Sequence, residues 1–186
     1  MSSLWTEILR VLWLSVPVVA AALVHVAVIR FRLFPALVRP IDGGRSWRGA
    51  RLFGDHKTWR GAVVMIGVSA LVMPLQGLAR APGLELFDYG AHSLFAVGAL
   101  LGLGFVLGEL PNSFLKRRAG VGPGERGGAG FVLLDQIDSI VGALLLLCLV
   151  QVPPLSTWIV ALILCSLLHV AVNGVFVLAG LKERVL

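Results

Sequence analysis

Five apolar blocks, at about residues 11–29, 61–78, 91–110, 130–152 and 157–181, constrain this chain more than any other feature of it. Each approaches the ~20 residues that a helix needs to cross a hydrocarbon core about 30 Å thick. Inside a bilayer no water satisfies the peptide groups, so a crossing segment is either a helix or part of a closed barrel. Barrel strands alternate apolar and polar side chains, and these blocks do not. Charged residues make up 14% of the chain, too few for the ionised coat of a water-soluble domain. The expected fold is all-α: one integral-membrane domain over residues 1–186, with five transmembrane helices and two cytoplasmic loops. The first block is expected to stay as a helix and not to be cleaved. Residues 1–7 carry no Lys or Arg, and the apolar run exceeds a signal-peptide core.

Charge sets the topology. Residues 30–60 hold eight Lys and Arg against two acidic residues, and Lys116, Arg117, Arg118, Arg126, Lys182 and Arg184 follow later. If five helices alternate, all of these fall on one side, and only Arg10 and Arg80 fall on the other. By the positive-inside rule the basic side is cytoplasmic and the N-terminus is outside. A membrane-hugging basic face explains part of this charge. Nucleic acid is not an expected partner, because no nucleic-acid-binding module is recognisable. Cys148 and Cys165 lie inside apolar blocks without a CxxC or metal-ligand spacing, and read as packing thiols.

The first cytoplasmic loop, RPIDGGRSWRGARLFGDHKTWRG over residues 39–61, is dense in Gly, Asp, Lys and Arg. Glycines let backbone N–H groups approach an anion while the cations neutralise it, so phosphate binding is one reading and a basic re-entry segment the other. Trp47 and Trp59 read as interfacial anchors. At the end of the third block, Glu109, Asn112, Ser113 and Lys116 stand at i, i+3, i+4 and i+7, on one face if the helix continues through Pro111. Upstream, Gly98 with Gly102 and Gly104 with Gly108 form two small-xxx-small pairs suited to close helix packing. The run GLGFVLG has the wrong spacing for a dinucleotide fingerprint, and no strand precedes it.

The fourth block carries the decisive pair. Asp135 and Asp138 in FVLLDQIDSIVG are three residues apart, which on a helix puts their carboxylates within about 60° of each other. One Asp at the centre of a membrane helix costs roughly 2.5–3.5 kcal/mol, and two repelling ones cost more. An ion pair to Lys116 or Arg117 would offset that cost. A divalent cation offsets it better, since two hard oxygen ligands suit Mg²⁺, which keeps several waters. In the fifth block His169 and Asn173, at i and i+4, are either an interhelical hydrogen-bonding pair or a substrate contact.

The stretch Asn112-Ser113-Phe114-Leu115-Lys116-Arg117, followed by Asp135-Gln136-Ile137-Asp138-Ser139, resembles the signature of the phosphatidate cytidylyltransferases. Length, five spans, the loop segments Pro40-Ile41-Asp42-Gly43 and Gly54-Asp55-His56-Lys57-Thr58-Trp59-Arg60-Gly61, and the closing His169, Asn173 and Gly180-Leu181-Lys182 look more like the shorter CDP-archaeol synthase family. Pro123-Gly124-Glu125-Arg126 stands where the longer enzymes carry Lys-Asp and His-Gly-Gly. The resemblance implies a Mg²⁺-dependent reaction of CTP with an isoprenoid glycerol phosphate, or a related lipid phosphate held in the bilayer. The products would be a CDP-lipid and diphosphate.

That chemistry suits the residues. The nucleophile is the lipid's own phosphate oxygen, largely ionised near neutral pH because a phosphomonoester's second pKa is about 6. No Ser–His–Asp constellation is required, and none is visible. Positioning, charge neutralisation and a metal are what such a transfer needs. The expected parts are Asp135 and Asp138 on Mg²⁺, and Lys116, Arg117, Lys57 and Arg60 against the leaving diphosphate. Asp42, Gly43, Asp55, Thr58, Asn112, Ser113, His169 and Asn173 would orient substrate or metal waters. A transporter using Asp135, Asp138 and His169 as an ion relay gives the basic loops no task. Intramembrane aspartyl proteases place their two Asp on separate helices, and the DGxxAR of CDP-alcohol phosphotransferases is not completed after Asp42-Gly43.

Overall fold

The computed structural model describes residues 3–79, 81–125 and 127–178. They form α1 (Leu4–Arg30), α2 (Trp59–Ala79), α3 (Leu94–Arg118), α4 (Ala129–Leu147) and α5 (Leu155–Leu178). All five contain stretches long and apolar enough to cross a membrane. Outward-facing Leu71, Leu75, Leu78, Leu145, Ile163 and Leu167 stay uncovered by protein, as suits side chains whose solvent is lipid.

The helix ends depart from the expected blocks for local reasons. α1 begins earlier, at Leu4: the Ser3 hydroxyl accepts from the Thr6 N–H at 3.1 Å and caps it. Its charged first turns are accommodated because buried Glu7 accepts from Arg10 at 3.0 Å and from the Thr157 hydroxyl at 2.8 Å. α3 runs through Pro111 to Arg118, so its last turn sets Lys116, Arg117 and Arg118 at the negative end of the helix dipole. α4 stops at Leu147, short of the expected 152. The expected end of the fifth block, at 181, lies outside the described residues.

Lipid tails are as apolar as leucine, so close backbone approach does much of the work of packing these helices. α3 lies between α2 and α4, and its two glycine pairs divide the task. A side-chain carbon at Gly98 or Gly102 would collide with the α2 backbone at Ser69 or Met65. One at Gly104 or Gly108 would collide with the α4 backbone at Gly142 or Asp138. α1 packs on α2 and α5, and α5 closes on α4. The apolar core joins Val11, Leu14, Met73, Leu101, Leu144 and Ala161.

The 31–58 loop is folded and lies against the residues that follow α3, with Gly54 beside Pro123 and His56 beside Gly124. Strands β1 (Ser46–Trp47) and β2 (Ala50–Arg51) form a minimal antiparallel hairpin, pairing Ser46 with Arg51 and Trp47 with Ala50. Arg48 and Gly49 turn it with φ of 51° and 78°, the positive pair that a two-residue hairpin turn demands. Ser46-Trp47-Arg48-Gly49 is thus a hairpin, whereas Thr58-Trp59-Arg60-Gly61 opens α2. These two stretches, SWRG and TWRG in sequence, are therefore not a structural repeat. Beyond this hairpin and the Pro40–Thr58 bridge, the described secondary structure is helical.

Candidate active site

Asn112 organises the charged end of the bundle. It is 5% exposed, and its Nδ2 donates to Asp135 Oδ1 at 2.7 Å and to Asp138 Oδ2 at 2.9 Å. Lys116, one turn further along α3, sets its Nζ 2.7 and 2.5 Å from the two oxygens of Asp135. The Ser139 hydroxyl lies 3.0 Å from Asp138 Oδ1 and 3.3 Å from Glu109 Oε1, while Glu109 pairs with Lys57 of the loop. The face of α3 expected from spacing therefore forms, with one difference. Ser113 turns its hydroxyl to its own helix, donating to the Glu109 carbonyl at 2.8 Å.

An ion pair to Lys116 does exist and accounts for Asp135. It leaves Asp138 with an amide and a hydroxyl but no cationic partner of its own among the described residues. No three His, Cys, Asp or Glu side chains among those residues gather into a metal-binding group. Mg²⁺ asks for less, typically one or two carboxylates with waters and substrate phosphates completing its shell. Two carboxylates meeting on one amide nitrogen fit that demand.

Arg117 lies on the loop side of α3's last turn. It is 8% exposed, its Nε and Nη1 have no hydrogen-bond partner among the described residues, and it packs near the Gly54 turn and Pro123. A guanidinium so placed favours an incoming anion.

The loop's expected site residues are placed differently from one another. Lys57 reaches the bundle because the loop is zipped at its base: the Ile41 N–H donates to the Lys57 carbonyl at 2.7 Å, and the Trp59 N–H to the Arg39 carbonyl at 3.0 Å. Asp42 is enclosed by the loop's own donors: Arg51 at 2.7 Å and the N–H groups of Gly44, Phe53 and Gly54 at 2.9, 3.0 and 3.1 Å. Burial alone would raise its pKa, but the Arg51 guanidinium and the three N–H groups together hold it well below the usual carboxylate range. Gly43, at φ 58°, is the turn residue beside it. Asp55 is exposed and pairs with Arg51 at 2.8 Å. The Thr58 hydroxyl accepts from the Gly61 N–H at 3.3 Å at the head of α2. Arg60 donates to the Leu33 carbonyl at 3.4 Å.

A cavity of about 430 Å³ opens between α1, α2, α3, α4 and α5. Most of its wall is apolar, including Val18, Ala22, Leu101, Phe105 and Leu168. Its end on the basic side carries His25, His56, Lys57, Thr58, Glu109 and His169. Glu109 connects this cavity to the carboxylate pair through Ser139. The side chain of Asn173 lies outside the described residues. Sequence reasoning passed over His25 and gave His56 no role of its own within the 54–61 segment. His25 had a signal, being an ionisable side chain inside the first apolar block.

Five apolar helices whose carboxylates, lysines and buried arginine gather beside an apolar cavity define a multi-pass membrane enzyme. The profile of the CarS-like CDP-archaeol synthase family matches residues 4–185, and the chain belongs to that family, a family of cytidylyltransferases. It is 41% identical over 159 residues to the CDP-archaeol synthase of Halorubrum lacusprofundi, covering 78% of this chain and 83% of that protein. The Methanospirillum hungatei CDP-archaeol synthase is also 41% identical, over 151 residues, covering 77% and 87%. The Pyrococcus furiosus protein of the same name is 36% identical over 137 residues, covering 72% and 75%. A solved structure of an intramembrane enzyme for archaeal membrane lipids biosynthesis superposes with a TM-score of 0.62 at 29% identity, covering 87% of this chain and 90% of that one.

Proposed function

We propose that the protein transfers CMP from CTP to an isoprenoid glycerol phosphate or closely related lipid phosphate, in a Mg²⁺-dependent reaction that releases diphosphate and forms a CDP-lipid. The observation that carries this reading is the junction at Glu109, where a charge-rich pocket meets an apolar cavity. A water-soluble nucleotide and a lipid must meet at such a boundary.

The acceptor's chains lie in the cavity, and its phosphate stops at the polar end, beside Lys57, His25 and His169. Asp135 and Asp138 hold the cation. When bound, that cation neutralises the CTP phosphates and polarises the one under attack. Lys116 and Arg117 balance the charge growing on the diphosphate; Lys116 exchanges its contact with Asp135 for one with phosphate, and Arg117 takes the anion its unpartnered nitrogens favour. A lipid phosphate oxygen forms the new P–O bond as the bond to diphosphate breaks. No protein nucleophile takes part. The roles expected of Arg60, Asp55 and Thr58 reduce to shaping the loop that presents Lys57. The basic side is cytoplasmic, where CTP is made, and the N-terminus is outside.

Purified protein given labelled CTP, Mg²⁺ and a panel of lipid phosphates should form a CDP-lipid with at least one isoprenoid acceptor. Absence of product from every acceptor would overturn the assignment. Asp138→Asn should insert normally and lose at least 100-fold in turnover; full activity in that variant removes the cation from the scheme. Charge-reporter fusions that place the 31–58 loop outside overturn the orientation.

A further inference from the structure

Asp135 and Asp138 make a two-carboxylate site, and no third His, Cys, Asp or Glu joins them among the described residues. The side chain that touches both is Asn112. Its Nδ2 sits on one oxygen of each carboxylate, at 2.7 and 2.9 Å, and its Oδ1 is buried without a partner among the described residues. That arrangement has a cost, because a stranded buried carbonyl oxygen forfeits the hydrogen bonds that water would give it. It also has an alternative. The two ends of a side-chain amide differ by half a turn about one bond, and only the oxygen end can coordinate a hard cation.

We propose that Asn112 is a cation ligand of this site, through Oδ1. Without metal, its Nδ2 holds the two carboxylates together as a neutral stand-in. With metal, the amide turns, Oδ1 joins Asp135 and Asp138, and the donors it withdraws are no longer needed to offset the charges of the pair. Lys116 stands in on the other side of Asp135 in the same manner. The site is thereby assembled before the cation arrives, and both groups that hold it open lie one turn apart on α3. The spacing of Glu109, Asn112, Ser113 and Lys116 puts Asn112 and Lys116 on the face turned to α4. A Leu here could do neither, and a Ser hydroxyl, with a single proton, could not donate to both carboxylates at once.

This inference rests on the proposal that the carboxylate pair binds a divalent cation, and the test separates the two. Metal binding to detergent-purified protein is measured directly, with Mn²⁺ followed by electron paramagnetic resonance and Cd²⁺ by calorimetry. The wild type, Asn112→Ala, Asn112→Cys and Asp138→Asn are compared, with melting temperatures checked for each. Wild type should bind Mn²⁺, Asp138→Asn should lose it, and Asn112→Ala should weaken it at least tenfold. Asn112→Cys, which replaces a hard oxygen by a soft sulfur, should shift the preference toward Cd²⁺ at least tenfold relative to wild type, whose Cys148 and Cys165 serve as the internal control. Mn²⁺ binding lost in Asp138→Asn but unchanged in Asn112→Ala, with no change of metal preference in Asn112→Cys, would overturn the role of Asn112 and leave the carboxylate site standing. Failure of the wild type to bind Mn²⁺ overturns both.

Discussion

Gly108 and Asp138 meet backbone to backbone. A Cβ added to Gly108 would fall onto the Asp138 carbonyl oxygen, and would also stand 3.1 Å from the Cα of Gly142. The helix that carries one wall of the site is thus held against the helix that carries the other by the absence of a single methyl group.

Gly108→Ala should therefore displace α4 from α3 where Asn112 bridges them. Overpacking of this kind costs about 1–3 kcal/mol, and misplacing reacting groups by an ångström can cost ~100-fold in rate. The expected outcome is a modest fall in thermal stability with a loss of turnover of at least tenfold. Gly130→Ala, at a position with nothing within 4 Å, is the control and should leave both unchanged. Equal activities in the two variants would show that this contact does not set the site.

The parts of the molecule that could be read from sequence are those set by short-range periodicity. The spacing of Asp135 and Asp138, the aligned face from Glu109 to Lys116 and the paired glycines of α3 all follow from 3.6 residues per turn, and each appears in the structure. What sequence did not convey depends on distant partners. Asp42 looked like a candidate for orienting substrate, yet its four donors come from residues 44, 51, 53 and 54, brought around it by a hairpin too short to announce itself. His25 joins His169 only because α1 packs against α5. The cavity is likewise a product of five helices, with no local signature.

Asp42 gives a pH-dependent prediction. Its folded pKa lies below the unfolded value of about 3.9, so its stabilising contribution is present in full above that value and is lost as pH falls toward the folded pKa. Asp42→Asn should destabilise the 31–58 loop by about 1–3 kcal/mol at pH 7, since it removes a charged acceptor from buried donors. Trypsin cleavage at Arg45 or Arg48 should accelerate in the variant. The stability difference from wild type, measured by thermal unfolding in detergent, should be flat between pH 8 and 5 and shrink below about pH 4. A difference that grows on acidification would refute the assignment.

Arg118 fastens the hairpin to α3. Its guanidinium donates to the carbonyls of Trp47, Ala50 and Arg51, the last two at 2.7 Å, and lies over the stacked rings of Trp47 and Phe114. Lysine keeps the charge but lacks the planar fork. Arg118→Lys should raise KM for CTP several-fold with a smaller change in kcat, because the loop that presents Lys57 is loosened while the carboxylate pair is untouched. Faster proteolysis between residues 45 and 51 should accompany the change. A variant with wild-type KM and wild-type cleavage would show that the clamp is dispensable.

Pro17 and Gln76 make the last prediction, away from the chemistry. Proline has no N–H, so the Trp13 carbonyl, four residues back in α1, loses its helical partner. Gln76 on α2 replaces it, donating from Nε2 at 2.5 Å, and the Ser69 hydroxyl reaches the Pro17 carbonyl at 3.4 Å. Gln76 and Ser69 are both buried in the bundle, where water does not reach to take over either task. Gln76→Leu should cost about 1–2 kcal/mol, in the range measured for interhelical hydrogen bonds in membranes. Pro17→Ala restores an N–H at position 17 and competes with Gln76 for the same carbonyl. In the double variant the restored backbone bond satisfies Trp13, so the Gln76→Leu penalty should be smaller there than in the wild-type background. A double-mutant cycle on thermal unfolding reads the difference. Strict additivity would mean that Gln76 does not serve the proline, and turnover of CTP should stay near wild type in all four proteins.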